Sequence, residues 1–198
     1  MLDSMSSENS TTRERILTAA RSLLEEQPGA TVTMGQIAER AGVSRQALYL
    51  HFADRGSLFL EIGRMVDAME RTPERQRRVD EAATAREALR EAIALQAYLK
   101  PKLQGLTTAI DVLRRTDPAA DAAWREREHA RLQRCEDLVR RLASEGDLRA
   151  GWDAHGAAQC LWAVTSQRVW DDLVVDQGWS TDKYCSHLTR LLEAALFN

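Results

Sequence analysis

The side chains best suited to chemistry fall in two places. Between Ser44 and His51, the series Ser44, Arg45, Gln46, Tyr49 and His51 sets hydrogen-bond donors and one aromatic ring within two helical turns. Such groups read base edges and phosphates, since arginine and glutamine can pair bidentately with purines and hydroxyl or imidazole groups reach phosphate oxygens. Further along, Glu126 and His129 form an E-x-x-H pair of the kind that holds iron in helical bundles. A di-iron bundle needs two such pairs, and neither His155 nor His187 has a glutamate three residues before it. There is no H-E-x-x-H, nucleophile elbow or phosphate loop. No catalytic residue, metal ligand or cofactor is therefore expected, and a helical metal-dependent enzyme stands only as an alternative. Cys135, Cys160 and Cys185 are odd in number and widely spaced, which argues against a disulfide framework or zinc site and fits a reducing compartment.

The elements that must position these groups read as helices throughout. The chain has 198 residues, 44% hydrophobic and 29% charged, with a net charge of −3, so nucleic-acid binding cannot be inferred from bulk charge. No apolar run approaches a membrane span and no basic-then-apolar leader opens the chain, so the expectation is a cytoplasmic protein. Residues 1–10 are polar and aperiodic and read as a loose, disordered tail. Thr11 and Glu14 form a capping box for a helix that Pro28-Gly29 ends, and Thr33 and Gln36 form a second. Gly42 can take the left-handed turn that stops that helix, Ser44 caps a third, and Asp54 caps a fourth, with Pro73 closing the unit. Beyond Arg78 the helices lengthen. Pro101 is expected to separate two of them, Asp117-Pro118 opens the next, Asp153 caps one running to about Asp176, and Ser180 caps the last. The sum is an all-α protein of about nine helices.

Within Thr33 to Phe52 the offsets suit a helix-turn-helix: Ala38 where the helices cross, Gly42 at the turn, and Ile37, Val43 and Leu48 as anchors. A plain helical hairpin with a polar outer face has the same spacing. Residues 11–58 hold six arginines against five carboxylates, so DNA binding requires Arg13, Arg45 and Arg55 to cluster away from Glu25, Glu26 and Glu39.

In the larger remainder all five tryptophans lie beyond residue 120, where they either fill a core or line a cavity. Gln96 shares an apolar helix face and needs a partner once buried, so a ligand or a backbone carbonyl must satisfy it. Leu106, Ile110, Leu113, Trp124 and Trp162 are candidate walls of the same ligand-binding cavity. Tyr184, Leu188, Leu191, Leu192 and Ala195 form a stripe that matches Ala158, Leu161 and Thr165. The stripe can pack within one chain or between two copies as a four-helix bundle.

Three segments carry a resemblance: R-x-x-I-L-x-A-A at Arg13 to Ala20, T-V-T-M-x-x-I-A at Thr31 to Ala38, and A-G-V-S-x-x-A-L-Y-x-H-F at Ala41 to Phe52. Together they resemble the DNA-binding domain of the tetracycline-repressor (TetR) family of transcriptional regulators. The resemblance implies an N-terminal three-helix helix-turn-helix domain over 11–58 and a helical ligand-binding and dimerisation domain over 59–198. It implies that Thr33 meets a phosphate through its hydroxyl and amide, with Met34 beside it. Ser44, Arg45 and Gln46 would lie at the head of the recognition helix, the latter two facing bases. Tyr49 would stack on the sugar-phosphate wall, His51 would bind a phosphate or pack at the turn, and Arg55 would fill a phosphate-binding place at the head of the fourth helix. Gly56 departs from the helix formers usual there and suggests a loose helix start. The partners so implied are a palindromic double-stranded DNA operator, a second copy forming a homodimer, and a small apolar or amphipathic effector that releases a repressor. A helical ligand-binding protein that no longer binds DNA is the further alternative.

Overall fold

The computed structural model describes residues 2–26 and 32–198, with side chains from Thr11 onward in the first stretch. Its α-helices are α1 (Leu2–Glu26), α2 (Met34–Ala41), α3 (Arg45–His51), α4 (Arg55–Met69), α5 (Thr72–Asp80), α6 (Ala85–Leu113), α7 (Pro118–Ser144), α8 (Ala154–Val164), α9 (Gln167–Trp170) and α10 (Thr181–Leu196). α9 runs on as a π-helical segment, Asp171–Asp176. Among the described residues the extended pairing is limited to an isolated antiparallel bridge between Leu148 and Phe197.

Short polar side chains set the helix starts, each accepting from an amide that the helix leaves unpaired. Ser44 Oγ accepts from the Ala47 amide at 3.0 Å, and Asp54 Oδ1 from Ser57 at 2.7 Å. Asp117 Oδ1 accepts from Ala119 at 3.0 Å, Asp153 Oδ1 from Gly156 at 2.9 Å, and Ser180 Oγ from Lys183 at 3.2 Å.

Four boundaries depart from the sequence expectation. α1 begins at Leu2, so Thr11 and Glu14 lie inside it and not at its cap; residues 2–10 contain neither glycine nor proline to stop the helix from extending. The Pro28-Gly29 stop lies outside the described residues. α6 continues through Pro101, whose ring is exposed, while Ala97 and Leu103 on either side are buried and hold the axis. The helix from Asp153 breaks at Thr165, where the hydroxyl donates back to the Leu161 oxygen at 2.7 Å and Ser166 caps α9. Pro73 sits in the first turn of α5.

Packing groups the chain into two compact units that cut across the expected boundaries of 11–58 and 59–198. One comprises Met1–Met69 with Leu103–Glu126, the other Glu70–Lys102 with Arg127–Asn198. The first buries Ile16, Leu23, Ile37, Leu48, Leu58 and Ile62. At its tightest point a Cβ on Gly56 would lie 2.3 Å from the Ala119 carbonyl oxygen. Gly56 therefore marks a close approach of α4 to the start of α7, and the expected loose helix start is corrected.

The second unit's core joins Leu89 and Ile93 of α6, Val139 and Leu142 of α7, Leu161 of α8 and Leu192 of α10. Here the stripe expected at a subunit interface turns inward. Ala158, Leu161, Thr165, Tyr184, Leu188 and Leu192 are buried within one chain and cannot face a second copy, whereas Leu191 is 55% exposed and Ala195 half-buried. The intramolecular alternative holds for these six because α8 and α10 use that face to close their own core.

Gly56→Ala is expected to lower thermal stability by about 1–3 kcal/mol despite alanine's better helix propensity, because the atoms it meets are backbone and cannot rotate aside. Calorimetric melting of the variant against the parent measures this.

Candidate nucleic-acid interface

The unit's reading surface is built at the α2–α3 turn. Thr33 and Gln36 form the capping box: the Gln36 amide donates to Thr33 Oγ1 at 3.2 Å, and the Thr33 amide donates to Gln36 Oε1 at 2.8 Å. Gly42 stops α2 in the left-handed region at φ 65°, and the Val43 amide returns to the Ala38 oxygen at 3.0 Å. From α1, Arg15 Nη2 donates to the Ala41 and Gly42 oxygens at 2.5 and 3.3 Å, fastening the turn where α2 has run out of its own donors. Leu48 and the following Phe52 are buried, so α3 has a fixed inner side. Opposite them Ser44, Arg45, Gln46, Tyr49 (51%) and Leu50 (83%) are exposed.

The arginines divide sharply. Arg13 pairs with Glu61 and lies over the Phe52 ring at 5.2 Å. That bond first, then Arg64, holds the Glu61 carboxyl below its ordinary range. Arg40 grips both carboxylate oxygens of Glu26 at 2.8 Å. Arg55 is fastened to Asp117, with Nε at 3.0 Å and Nη2 at 2.8 Å from Oδ2. Arg45 makes no ion pair among the described residues, and its guanidinium rests on Gly35. A Cβ at Gly35 would fall 2.5 Å from Nη2 and 3.0 Å from Nε. The missing side chain on α2 is what seats the arginine of α3.

Several sequence-derived assignments change accordingly. Met34 is buried and acts as a core anchor. Thr33's amide and hydroxyl are both engaged in the capping box, so its expected phosphate contact competes with Gln36. Arg55 serves Asp117, and the expected cluster of Arg13, Arg45 and Arg55 reduces to Arg45. His51 is half-buried, its ring 6.5 Å from that of Phe52. Arg45, Gln46 and Tyr49 remain together on the open side of α3, with Ser44 as its cap. Leu50, Gly35 and Arg15 are positions of this candidate surface missed from sequence. Leu50 had a legible signal, an apolar residue one turn after Gln46 on a polar face; Gly35 and Arg15 matter only through contacts distant in sequence.

The candidate cavity residues fall into separate units. Leu106, Ile110 and Leu113 are buried in the first, with Trp124 half-buried and Arg114 lying 4.9 Å from its ring. Gln96 is half-buried in the second, as is Trp162, above which Arg131 lies at 4.7 Å. Glu126 and His129 are both exposed on α7. In the second unit burial pushes the Cys135 thiol up to about 11. The second unit also buries Lys100, absent from the sequence-derived set. Burial first, then the charges of Arg131 and Arg127, press its ammonium down to about 7, with Asp171 and Glu128 opposing.

The reading surface is that of an all-helical helix-turn-helix protein. Residues 16–62 match the family model described as bacterial regulatory proteins, tetR family. The transcriptional regulator AcrR of Shigella flexneri is 45% identical over 51 residues, covering 26% of this chain and 24% of that protein. The chain thus matches about a quarter of that relative's length. The nucleoid occlusion factor SlmA of Marinobacter nauticus is 26% identical over 149 residues, 74% of each chain. Among solved structures, a transcriptional regulator from Saccharomonospora viridis in complex with choline superposes with a TM-score of 0.75 at 22% identity, covering 96% of this chain and 99% of that one. The fold over nearly the whole chain is therefore that of this solved structure. No helix among the described residues is long and apolar enough to cross a membrane.

Gly35→Ala is expected to leave the melting temperature unchanged or slightly raised, since the atoms displaced belong to a flexible side chain and alanine favours the helix by about 1 kcal/mol. It is expected to weaken and broaden duplex recognition by unseating Arg45, as read by competition binding on matched and mismatched duplexes. Lys100→Met is expected to raise the melting temperature by several degrees at about pH 6 and by less at about pH 10. Between about 7 and 10.5 the unfolded chain holds a proton that the folded chain has released, so this lysine's destabilising effect is full below that window and fades as pH rises through it.

Proposed function

We infer that the chain is a sequence-specific DNA-binding transcriptional regulator that acts as a homodimer, most simply a repressor released by a small-molecule effector. The observation that carries this reading is the open side of α3. Arg45, Gln46 and Tyr49 project from a helix whose other side is clamped by Leu48 and Phe52 and whose entry is fixed by Arg15. A rigid helix offering a guanidinium, an amide and a phenol is suited to the major groove: Arg45 to a guanine edge, Gln46 to an adenine edge, Tyr49 to the phosphate wall. Leu50 offers an apolar contact for a thymine methyl.

The homodimer supplies the second reading helix that a palindrome needs, with half-sites about 34–36 Å apart. The outward faces of α8 and α10 support it. His155, Gln159, Leu191 and Ala194 are exposed there, the sides opposite to the stripe that closes the core. The choline complex of the Saccharomonospora viridis regulator supports responsiveness to a small molecule. An effector acts only through its difference in affinity for the DNA-competent and DNA-incompetent states, and shifts their populations by that difference. Gln96 and Trp162 are the effector contacts favoured by position, both in the unit that buries Lys100.

Selection from a randomised duplex library, followed by binding titrations in increasing salt, tests this. The expected result is a two-fold symmetric site bound with salt-dependent affinity. Arg45→Ala is expected to lose about 1–3 kcal/mol with relaxed preference at one base pair, and Tyr49→Phe to weaken binding by a smaller factor. Failure of the library to yield any preferred site returns the chain to the class of ligand-binding helical proteins that have left DNA behind.

A further inference from the structure

The unit formed by Glu70–Lys102 and Arg127–Asn198 buries side-chain donors that meet no acceptor. Lys100 enters it from α6 with 7% of its surface exposed, and its Nζ donates to the backbone oxygen of Thr165 at 2.8 Å. It has no salt-bridge carboxylate among the described residues. Arg131 arrives from α7 at the same place: Nη1 donates to the Trp162 oxygen at 2.7 Å and lies 3.4 Å from Thr165 Oγ1. The Thr165 hydroxyl proton is committed to Leu161. In the same unit Arg131 lies 4.7 Å from the Trp162 ring, and Trp162 Nε1 and the Tyr184 hydroxyl are shut away from solvent with no hydrogen-bond partner. Tyr184 is held with its ring edge-on to Trp170 at 4.9 Å, and the charge of Arg131 is felt at its hydroxyl.

The nearby carboxylates do not answer these donors. Glu128 is taken by Arg131 at 2.9 Å, and Asp171 accepts from Gln167 Nε2 at 3.0 Å. Lys100 is thus left with the Thr165 backbone oxygen as its acceptor, while Glu128 and Asp171 are engaged by Arg131 and Gln167. Buried donors of this kind are satisfied by oxygens that bring no protons, and a buried ammonium by a negative charge. A cationic guest would supply the opposite charge, and an alcohol would supply too little charge.

We propose that Lys100, Arg131, Trp162 and Tyr184 form the head-group subsite for the effector, and that the effector is an organic carboxylate. This deepens the ligand-responsive reading above and rests on it. The carboxylate oxygens accept from Lys100 Nζ, Trp162 Nε1 and the Tyr184 hydroxyl, while Arg131 keeps its backbone bond to Trp162 and supplies field.

The test uses the full chain and four probes matched in pairs, octanoate with octylammonium and benzoate with benzylammonium, read by calorimetry and tryptophan fluorescence. At least one carboxylate is expected to bind and its ammonium counterpart to fail. Lys100→Met is expected to weaken that carboxylate by about tenfold or more, the scale of a lost charge-assisted hydrogen bond. Tyr184→Phe is expected to weaken it while holding or raising the melting temperature, since it removes a buried hydroxyl with no partner; its loss of binding is then not unfolding. Binding of an ammonium probe as tightly as its carboxylate, failure of both carboxylates, or parental affinity in both variants overturns the subsite. The regulator reading fails separately, by the absence of any selected duplex. A chain that selects its duplex yet ignores both carboxylates loses the subsite alone.

Discussion

Everything this molecule can do to a duplex depends on one turn being held still. α3 spans seven residues, far too few to persist as a helix in water. Its direction is set from outside: Gly42 bends the chain through the left-handed region, Arg15 ties down the carbonyls at the end of α2, and Leu48 and Phe52 sink into the core. Each device restrains a different degree of freedom, respectively the backbone path, the helix end and the rotation of α3 about its axis. Remove the restraint and the same donors become a solvated polar face with no preferred aim.

The same economy governs the charges. Six arginines between residues 11 and 58 gave no clear sign of a DNA surface, because sequence cannot say which are already spoken for. The structure resolves it by pairing: Arg13 with Glu61, Arg40 with Glu26, Arg55 with Asp117. Two of these pairs join residues 48 and 62 positions apart, beyond the reach of any local pattern. Arg45 is seated against Gly35 and has its donors turned to no carboxylate among the described residues.

What was legible in the sequence was local. Caps at Thr33, Ser44, Asp54, Asp117, Asp153 and Ser180 appear where a hydroxyl or carboxylate can reach back to a free amide two or three residues on. The helix-turn-helix was legible for the same reason, since its glycine, its small crossing residue and its anchors lie within twenty positions. Errors arose where tertiary burial overrode a local rule. Pro101 is carried inside α6 by buried neighbours, and the Tyr184–Leu188–Leu192 stripe was compatible with two partners until packing chose α8 of its own chain. Lys100 was invisible as a candidate because a lysine flanked by Leu99 and Pro101 gives no hint that its ammonium lies indoors.

The neutralised arginines also shape how such a protein would move through a genome. Attraction to arbitrary duplex is almost wholly a matter of cations facing phosphates, and it is this indiscriminate hold that lets a protein slide or become trapped far from its target. With Arg13, Arg40 and Arg55 already answered by carboxylates, little of that adhesion is left. The exposed Leu50 beside Tyr49 adds contact area without adding charge. A reading head of this make-up would spend little of its time on wrong sequences, and would locate its site by repeated brief encounters more than by long excursions along the strand.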